Sequence, residues 1–185
     1  MISHENRWLF LHPTRCAGKS IERALWGVTP RKGSSDHRTL QRYYSDYGPE
    51  VLSYFKFIFV RNPWARLVSI YSARQQIIRH PEFLRHDTFR SALLDGLFDK
   101  VRPQINWMLV ENCPCVDFIG RVRSFDRDFR ELCGRLGVQY DSVPHENRST
   151  HEPYQSYYDD ETQQLVARMF KQDIEFFGYE FREGT

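Results

Sequence analysis

Two short stretches of the chain carry residue types suited to gripping an anion. The first reads His12-Pro13-Thr14-Arg15-Cys16-Ala17-Gly18-Lys19-Ser20. Ala17 and Gly18 let the main chain approach a ligand closely. A helix starting here offers unpaired N–H groups and the positive end of its dipole. Arg15 and Lys19 add full charges, and Ser20 adds a hydroxyl donor. The set suits a phosphate or a sulfonate. It nearly spells the phosphate loop G-x-x-x-x-G-K-[ST], with Pro13 standing where the leading glycine belongs. The second stretch is Phe57-Ile58-Phe59-Val60-Arg61-Asn62-Pro63-Trp64-Ala65-Arg66-Leu67-Val68-Ser69. Arg61 follows an apolar run directly, and open parallel sheets bind ligands at the carboxyl ends of their strands. Ser69 falls inside a helix that Pro63 can start. Serine gains nothing from propensity there, so an outward, ligand-facing task is expected. Arg61 and Ser69 can hold one phosphate between them. Arg66 is a further candidate in the same place, or else a solvated helix charge.

A hydroxyl acceptor would need a base, and an imidazole has the right affinity for a proton near neutrality. His37, in Asp36-His37-Arg38-Thr39, lies between the two stretches. His12, at the end of the first apolar run, is a second candidate, or a histidine that only bonds to the main chain.

These residues need a scaffold. Trp8 to Leu11 reads as a buried strand, Thr14 to Gly18 as a turn and Lys19 to Trp26 as a helix. Leu40 to Leu52 suggests helix and loop, Phe55 to Val60 a second buried strand, and Trp64 to Arg79 a helix with Leu67, Val68, Tyr71 and Ile78 on one side. Val116 to Ile119 is a third strand candidate. Phe125, Phe129, Leu132, Cys133 and Leu136 mark an amphipathic helix that Gly137 stops. Tyr157 to Phe177 reads as one final helix with Leu165, Val166, Met169, Phe170, Ile174 and Phe177 inside. Strands alternating with helices predict an α/β fold: a P-loop-like, three-layer arrangement with a central parallel sheet flanked by helices, in a single domain over residues 1–185.

Composition limits the remaining choices. The chain has 185 residues, 41% hydrophobic and 27% charged, an ordinary globular balance. Mean hydropathy is −0.62 and no apolar run is long enough to span a bilayer, so no integral membrane contact is expected. Met1 to Asn6 is polar and shows no secretory signal, which gives a cytoplasmic expectation. A net charge of +2 is too small for bulk nucleic-acid binding, and the 15% aromatic residues fall mostly on strand and helix inner faces, where core packing explains them. Of the 26 basic residues, 21 are Arg and 5 are Lys. Arginine's planar fork suits phosphate, sulfate and carboxylate. Cys113 and Cys115 are too close for the usual zinc spacing, so Cys16, Cys113, Cys115 and Cys133 are expected as plain thiols and no metal site is predicted.

Taken together, the two stretches resemble the 5′-phosphosulfate loop and the 3′-phosphate motif of sulfotransferases that use 3′-phosphoadenosine 5′-phosphosulfate (PAPS). The nearest pattern is the carbohydrate type with its bacterial members, which reads H-I-P-K-T-G-G-T-S-I and F-V-R-N-P-W-x-R-L-V-S. Gln104-Ile105-Asn106-Trp107-Met108-Leu109 is similar to that family's Q-x-x-W-L segment. Val116 to Arg121 resembles its third strand, and Pro144 to Tyr158 with Phe177 to Tyr179 resembles its C-terminal part. The resemblance implies a transfer of sulfonate from PAPS to an acceptor hydroxyl, on a carbohydrate, without a metal, leaving PAP.

Residue by residue, it puts Arg15 in place of the family's loop lysine. There it would contact the 5′-phosphate and the bridging oxygen and stabilise the leaving group. Arg15 cannot donate a proton as lysine does. Lys19 stands where the family has threonine, and we expect it to take over part of the lysine's work. Cys16, Ala17, Gly18 and Ser20 would cradle the 5′-phosphate. Arg61 and Ser69, with Arg66 beside them, would take the 3′-phosphate. Asn147 and Ser149 would lie in a loop closing over the nucleotide. His37 matches the H-x-T-A pattern of a general base. Arg123-Ser124 departs from the family's acid-containing R-F-E-N-L and inherits no role. The alternatives left open are a P-loop nucleotide kinase or other phosphotransferase, favoured by Gly18-Lys19-Ser20, and a non-catalytic nucleotide- or glycan-binding module, favoured by Arg15.

Overall fold

Phe55–Val60 forms a strand in which every side chain but the first is buried, as an apolar run closed by Asn62-Pro63 should be. The computed structural model describes residues 1–27, 36–139 and 152–182. In chain order these form β1 (Ile2–Ser3), β2 (Trp8–Leu11), α1 (Gly18–Trp26), α2 (Leu40–Tyr47), β3 (Phe55–Val60), α3 (Pro63–Ser72), α4 (Pro81–Leu84), α5 (Phe89–Leu94), β4 (Leu109–Val110), β5 (Cys113–Pro114), β6 (Phe118–Arg121), α6 (Phe125–Leu136), α7 (Asp160–Met169) and α8 (Lys171–Phe177). Contacts gather in two compact units: Met1–Arg61 with Gln104–Asn147, and Asn62–Pro103 with Arg148–Thr185.

The first unit holds the main sheet, ordered β1-β2-β3-β6. β2, β3 and β6 run parallel, and β1 adds a short antiparallel edge that the sequence did not announce. This is the expected α/β architecture, a mostly parallel sheet with flanking helices. Register places Phe10 beside Phe57 and Phe57 beside Phe118. With Phe59 they build one apolar face, covered by Ile21 of α1 and by Phe125, Phe129, Leu132 and Cys133 of α6. Gly120 lies beside Phe59 in the ladder, and a Cβ there would sit 2.5 Å from the Phe59 ring. α6 ends at Gly137 in the left-handed region, φ 68°, as the pattern required.

The third strand begins at Phe118, two residues later than the apolar pattern suggests. Asp117 is occupied at its entrance: its carboxylate accepts from the main-chain N–H and the Nζ of buried Lys56, both at 2.7 Å. A small hairpin of β4 and β5 precedes it, turning on Glu111 and Asn112, both at positive φ, the backbone of a primed two-residue turn.

The second unit is helical among its described residues. α3 is seeded by Asn62, whose side chain accepts from Trp64 N and Ala65 N, with Pro63 at the first helical position. The sequence suggested a helix as far as Arg79. α3 stops at Ser72, passes into a π turn over Ala73–Ile77, and the chain leaves helical geometry with Arg79 at φ 51°. The single helix expected over Tyr157 to Phe177 is broken as well. Asp159 and Thr162 form a capping box that starts α7, and Phe170, at φ −116° and ψ 28°, ends α7 and begins α8. Side-chain spacing kept its period across the break, which is why the sequence hid it.

Candidate functional site

The carboxyl edge of the main sheet collects the first stretch and Arg61 within one unit. β2 ends at Leu11 and hands over to His12; β3, its parallel neighbour, ends at Val60 and hands over to Arg61. The turn into α1 puts Arg15 at φ 66° and Ala17 at φ 60°, both left-handed without being glycine. Such residues cost on the order of 1 kcal/mol or more each, and alternation of this kind aims successive N–H groups at one point. Ala17 stands at the N-cap of α1 and has no side-chain oxygen to offer its N–H groups. Gly18 is buried, and a Cβ on it would run into the His12 ring; only glycine fits. Cys16 and Ser20 are buried, Arg15 is half-buried and Lys19 is exposed in the first turn of α1. Burial pushes the Arg15 guanidinium below its usual pKa, a desolvation that an incoming anion would offset.

His37 is exposed, yet its ring is oriented. Its Nδ1 lies 2.8 Å from the His12 carbonyl. A carbonyl only accepts, so Nδ1 donates, and in the neutral ring the lone pair lies on Nε2. The flanking residues hold this segment. Asp36 accepts from Arg38 and, at 2.6 Å, from the Tyr43 hydroxyl; Arg38 also reaches Asp46 and lies over the Tyr43 ring. Burial alone would raise the Asp36 pKa, but the bonds from Arg38 and Tyr43 outweigh it and hold the carboxyl well below the usual carboxylate range. Thr39 caps α2 by accepting from Arg42 N. The His12 ring lies 4.5 Å from that of His37. His12 is buried with its Nδ1 3.1 Å from Oε1 of fully buried Glu22, and desolvation lowers its pKa despite that partner.

Gln104 is the residue the sequence reading gave no task. It is fully buried. Its Oε1 accepts from Arg61 N at 2.8 Å and from Cys16 Sγ at 3.1 Å, and its Nε2 donates to the Arg61 carbonyl at 2.8 Å. The phosphate-type loop and the Arg61 main chain therefore share one acceptor atom, which puts them on the order of 6 Å apart. The Q-x-x-W spacing was the only signal for it.

In the second unit, several of the remaining letters of the long motif are tied into the helical packing. Asn62 Nδ2 donates to the Glu180 carbonyl at 2.9 Å and Trp64 Nε1 to that of Gln163 at 3.0 Å, while Tyr158 donates to the Trp64 carbonyl at 2.9 Å. Arg66 is not a solvated helix charge: it is 1% exposed, and its guanidinium donates to the Arg102 carbonyl at 2.9 Å. Ser69 faces inward and is fully buried. Asn147 and Ser149 lie outside the described residues. Among the described residues no cluster of three or more His, Cys, Asp or Glu is placed to hold a metal, and no helix is long and apolar enough to cross a membrane.

Comparison with known proteins bears on the fold and the family. A solved mouse sulfotransferase, SULT7A1, in complex with PAP, superposes with a TM-score of 0.57 at 12% identity, over 94% of this chain and 86% of that one; at that identity the likeness is one of fold. Carbohydrate sulfotransferase 14 of Danio rerio is 27% identical over 176 residues, covering 75% of this chain and 48% of the relative. The chain thus spans about half the length of that curated relative. The model of the sulfotransferase family matches residues 29–180, a span that starts after the loop of Arg15 to Ser20. By that match, over well more than half its length, the chain belongs to the sulfotransferase family.

Proposed function

We propose that this protein transfers a sulfonate group from PAPS to a hydroxyl of a carbohydrate acceptor. The observation that carries the reading is the meeting of the Arg15–Ser20 loop and Arg61 on one amide, at the edge where parallel sheets bind nucleotides. A donor with phosphates at both ends of an adenosine asks for two cationic subsites, and this edge supplies Arg15 with Lys19 on one side and Arg61 on the other. The close main-chain approach at Gly18 and the uncapped start of α1 suit the 5′-phosphate. Ser69 keeps its assignment to the 3′-phosphate on sequence resemblance, as do Asn147 and Ser149 to the closing loop. Arg66, engaged with Arg102, acts on α3 rather than on the donor.

The donor supplies the electrophilic sulfur. His37 Nε2 takes the proton from the attacking hydroxyl, because Nδ1 is committed to the His12 carbonyl. Arg15 and Lys19 neutralise charge that develops on the departing phosphate, so positioning and electrostatics carry the reaction. A carbohydrate acceptor is supported by the name of the Danio rerio relative.

The test is transfer of labelled sulfonate from PAPS to a panel of glycans, together with calorimetric binding of PAP and of ATP with magnesium. We expect PAP to bind and ATP with magnesium to bind at least about tenfold more weakly, a difference of ~1.4 kcal/mol. Lys19→Ala should slow transfer by about tenfold or more while PAP still binds. Tighter binding of ATP, or no transfer to any hydroxyl acceptor, would overturn the reading.

A further inference from the structure

Arg61 stands one residue past β3, where the ladder to β6 has reached its last pair, Val60 with Arg121. Its main chain needs a partner from elsewhere, and Gln104 provides both halves: an acceptor for the N–H and a donor for the carbonyl. The side-chain amide acts as a one-residue extension of the sheet. Its orientation is not free. Only Oε1 can take the Arg61 N–H and only Nε2 can give to the Arg61 carbonyl. The second lone pair of Oε1 is occupied by the Cys16 thiol, in the floor of the loop that carries Arg15 and Lys19. Both Cys16 and Gln104 are fully buried, so water does not replace a lost bond cheaply.

We infer that Gln104 is a positioning residue for the anion site: it keeps the Arg61 backbone and the Arg15–Ser20 loop in register, so that the spacing of the two cationic subsites depends on an amide that touches neither phosphate. The inference rests on the donor reading above for its ligand and on hydrogen-bond geometry for its mechanism. Gln104→Met removes every bond at nearly constant volume. Gln104→Glu keeps the acceptor for Arg61 N and Cys16 but sets an oxygen against the Arg61 carbonyl. Cys16→Ala cuts the link to the loop and leaves the Arg61 clamp whole.

The experiment measures PAP affinity by calorimetry and the kcat and KM of the donor for the three variants and for the Cys16→Ala, Gln104→Met double variant. All measurements are made well below each melting temperature, with folding verified by circular dichroism. Roughly tenfold weaker PAP binding is expected for Gln104→Met, a smaller loss for Cys16→Ala, and a double variant no worse than Gln104→Met, because both act through one atom. A residue that only stabilises the fold would lower the melting temperature and leave PAP affinity of the folded protein within about twofold; that result overturns the inference. Should the parent protein fail to bind PAP, the donor reading falls and positioning is read by amide hydrogen exchange. Exchange at Arg61 N–H accelerated about tenfold in Gln104→Met, with Val60 unchanged, supports the clamp; unaltered protection at Arg61 refutes it.

Discussion

The base assignment turns on a single tautomer. His37 gives its Nδ1 proton to a main-chain oxygen, so the nitrogen available to a substrate is Nε2. His37→Asn places an amide near the same carbonyl and provides no basic nitrogen. It should leave PAP affinity within about threefold and lower kcat by 10²-fold or more, since general-base catalysis contributes about that much. The ascending, acid-side limb of transfer, which rises as an imidazole loses its proton, should disappear from the pH profile of the variant. A retained limb would move the base to another group, His12 being the neighbour to try next. At this scale the sequence was generous with charge and poor in partners. The position of Arg15, Lys19 and Arg61 at the sheet edge was legible, because a small-residue turn and a strand end mark where the strands stop. Gln104 was not, because a neutral amide becomes informative only once the two groups it bridges are known. For Arg66 only the solvated-charge alternative fails, because the side chain is buried and held by the Arg102 carbonyl.

Elements set these residues at their angles. The segment bearing His37 is no free loop: Asp36, Arg38 and Tyr43 close a network over its root, and α2 continues from it. Because the Asp36 carboxyl titrates lower in the folded chain than in the unfolded one, its contribution is present above the unfolded value near 4 and fades as pH falls through the lower folded value. Asp36→Asn should therefore be less stable than the parent at neutral pH in urea denaturation, and the gap should narrow steadily below about pH 4. The same variant should lower kcat more than PAP affinity, since it loosens the base and not the anion loop. A gap that stays constant down to pH 2 would show that the network is not what depresses Asp36. Strands and caps were well marked in the sequence. β2, β3 and α6 lie where the apolar spacing put them, and Gly137 ends α6 as expected. The misreadings have a common origin. Neither break shows in the spacing of the apolar letters: α7 parts from α8 at Phe170 with the inward period intact, and the π turn after α3 leaves Ile78, an apolar letter in helical register, half exposed, so periodicity registers neither.

At the scale of the whole chain, the architecture was the most legible layer, because an alternation of apolar strands with amphipathic helices admits few arrangements. The placement of the loop after β2 and of Arg61 after β3 followed from it, since adjacent parallel strands deliver their carboxyl ends to one edge. The division of contacts into two units did not follow. The boundary falls between Arg61 and Asn62, inside the motif that reads most continuously. The long motif thus serves two purposes at once. Its first letters close the sheet edge, and its later ones, Asn62, Trp64 and Arg66, hold a helical unit together.

Phe59 and Gly120, sixty-one positions apart, lie so close across the ladder that they in effect share the volume of one side chain. Neither can be chosen alone. Gly120→Ala should cost about 1–3 kcal/mol through overpacking, and Phe59→Leu about 1 kcal/mol or more through lost contact. The double change, measured by chemical denaturation, should cost clearly less than the two single losses added. Across related chains the two positions should drift as a pair, a large ring at one licensing nothing larger than hydrogen at the other, and a stabilising redesign of this core would have to start by treating them as a single site.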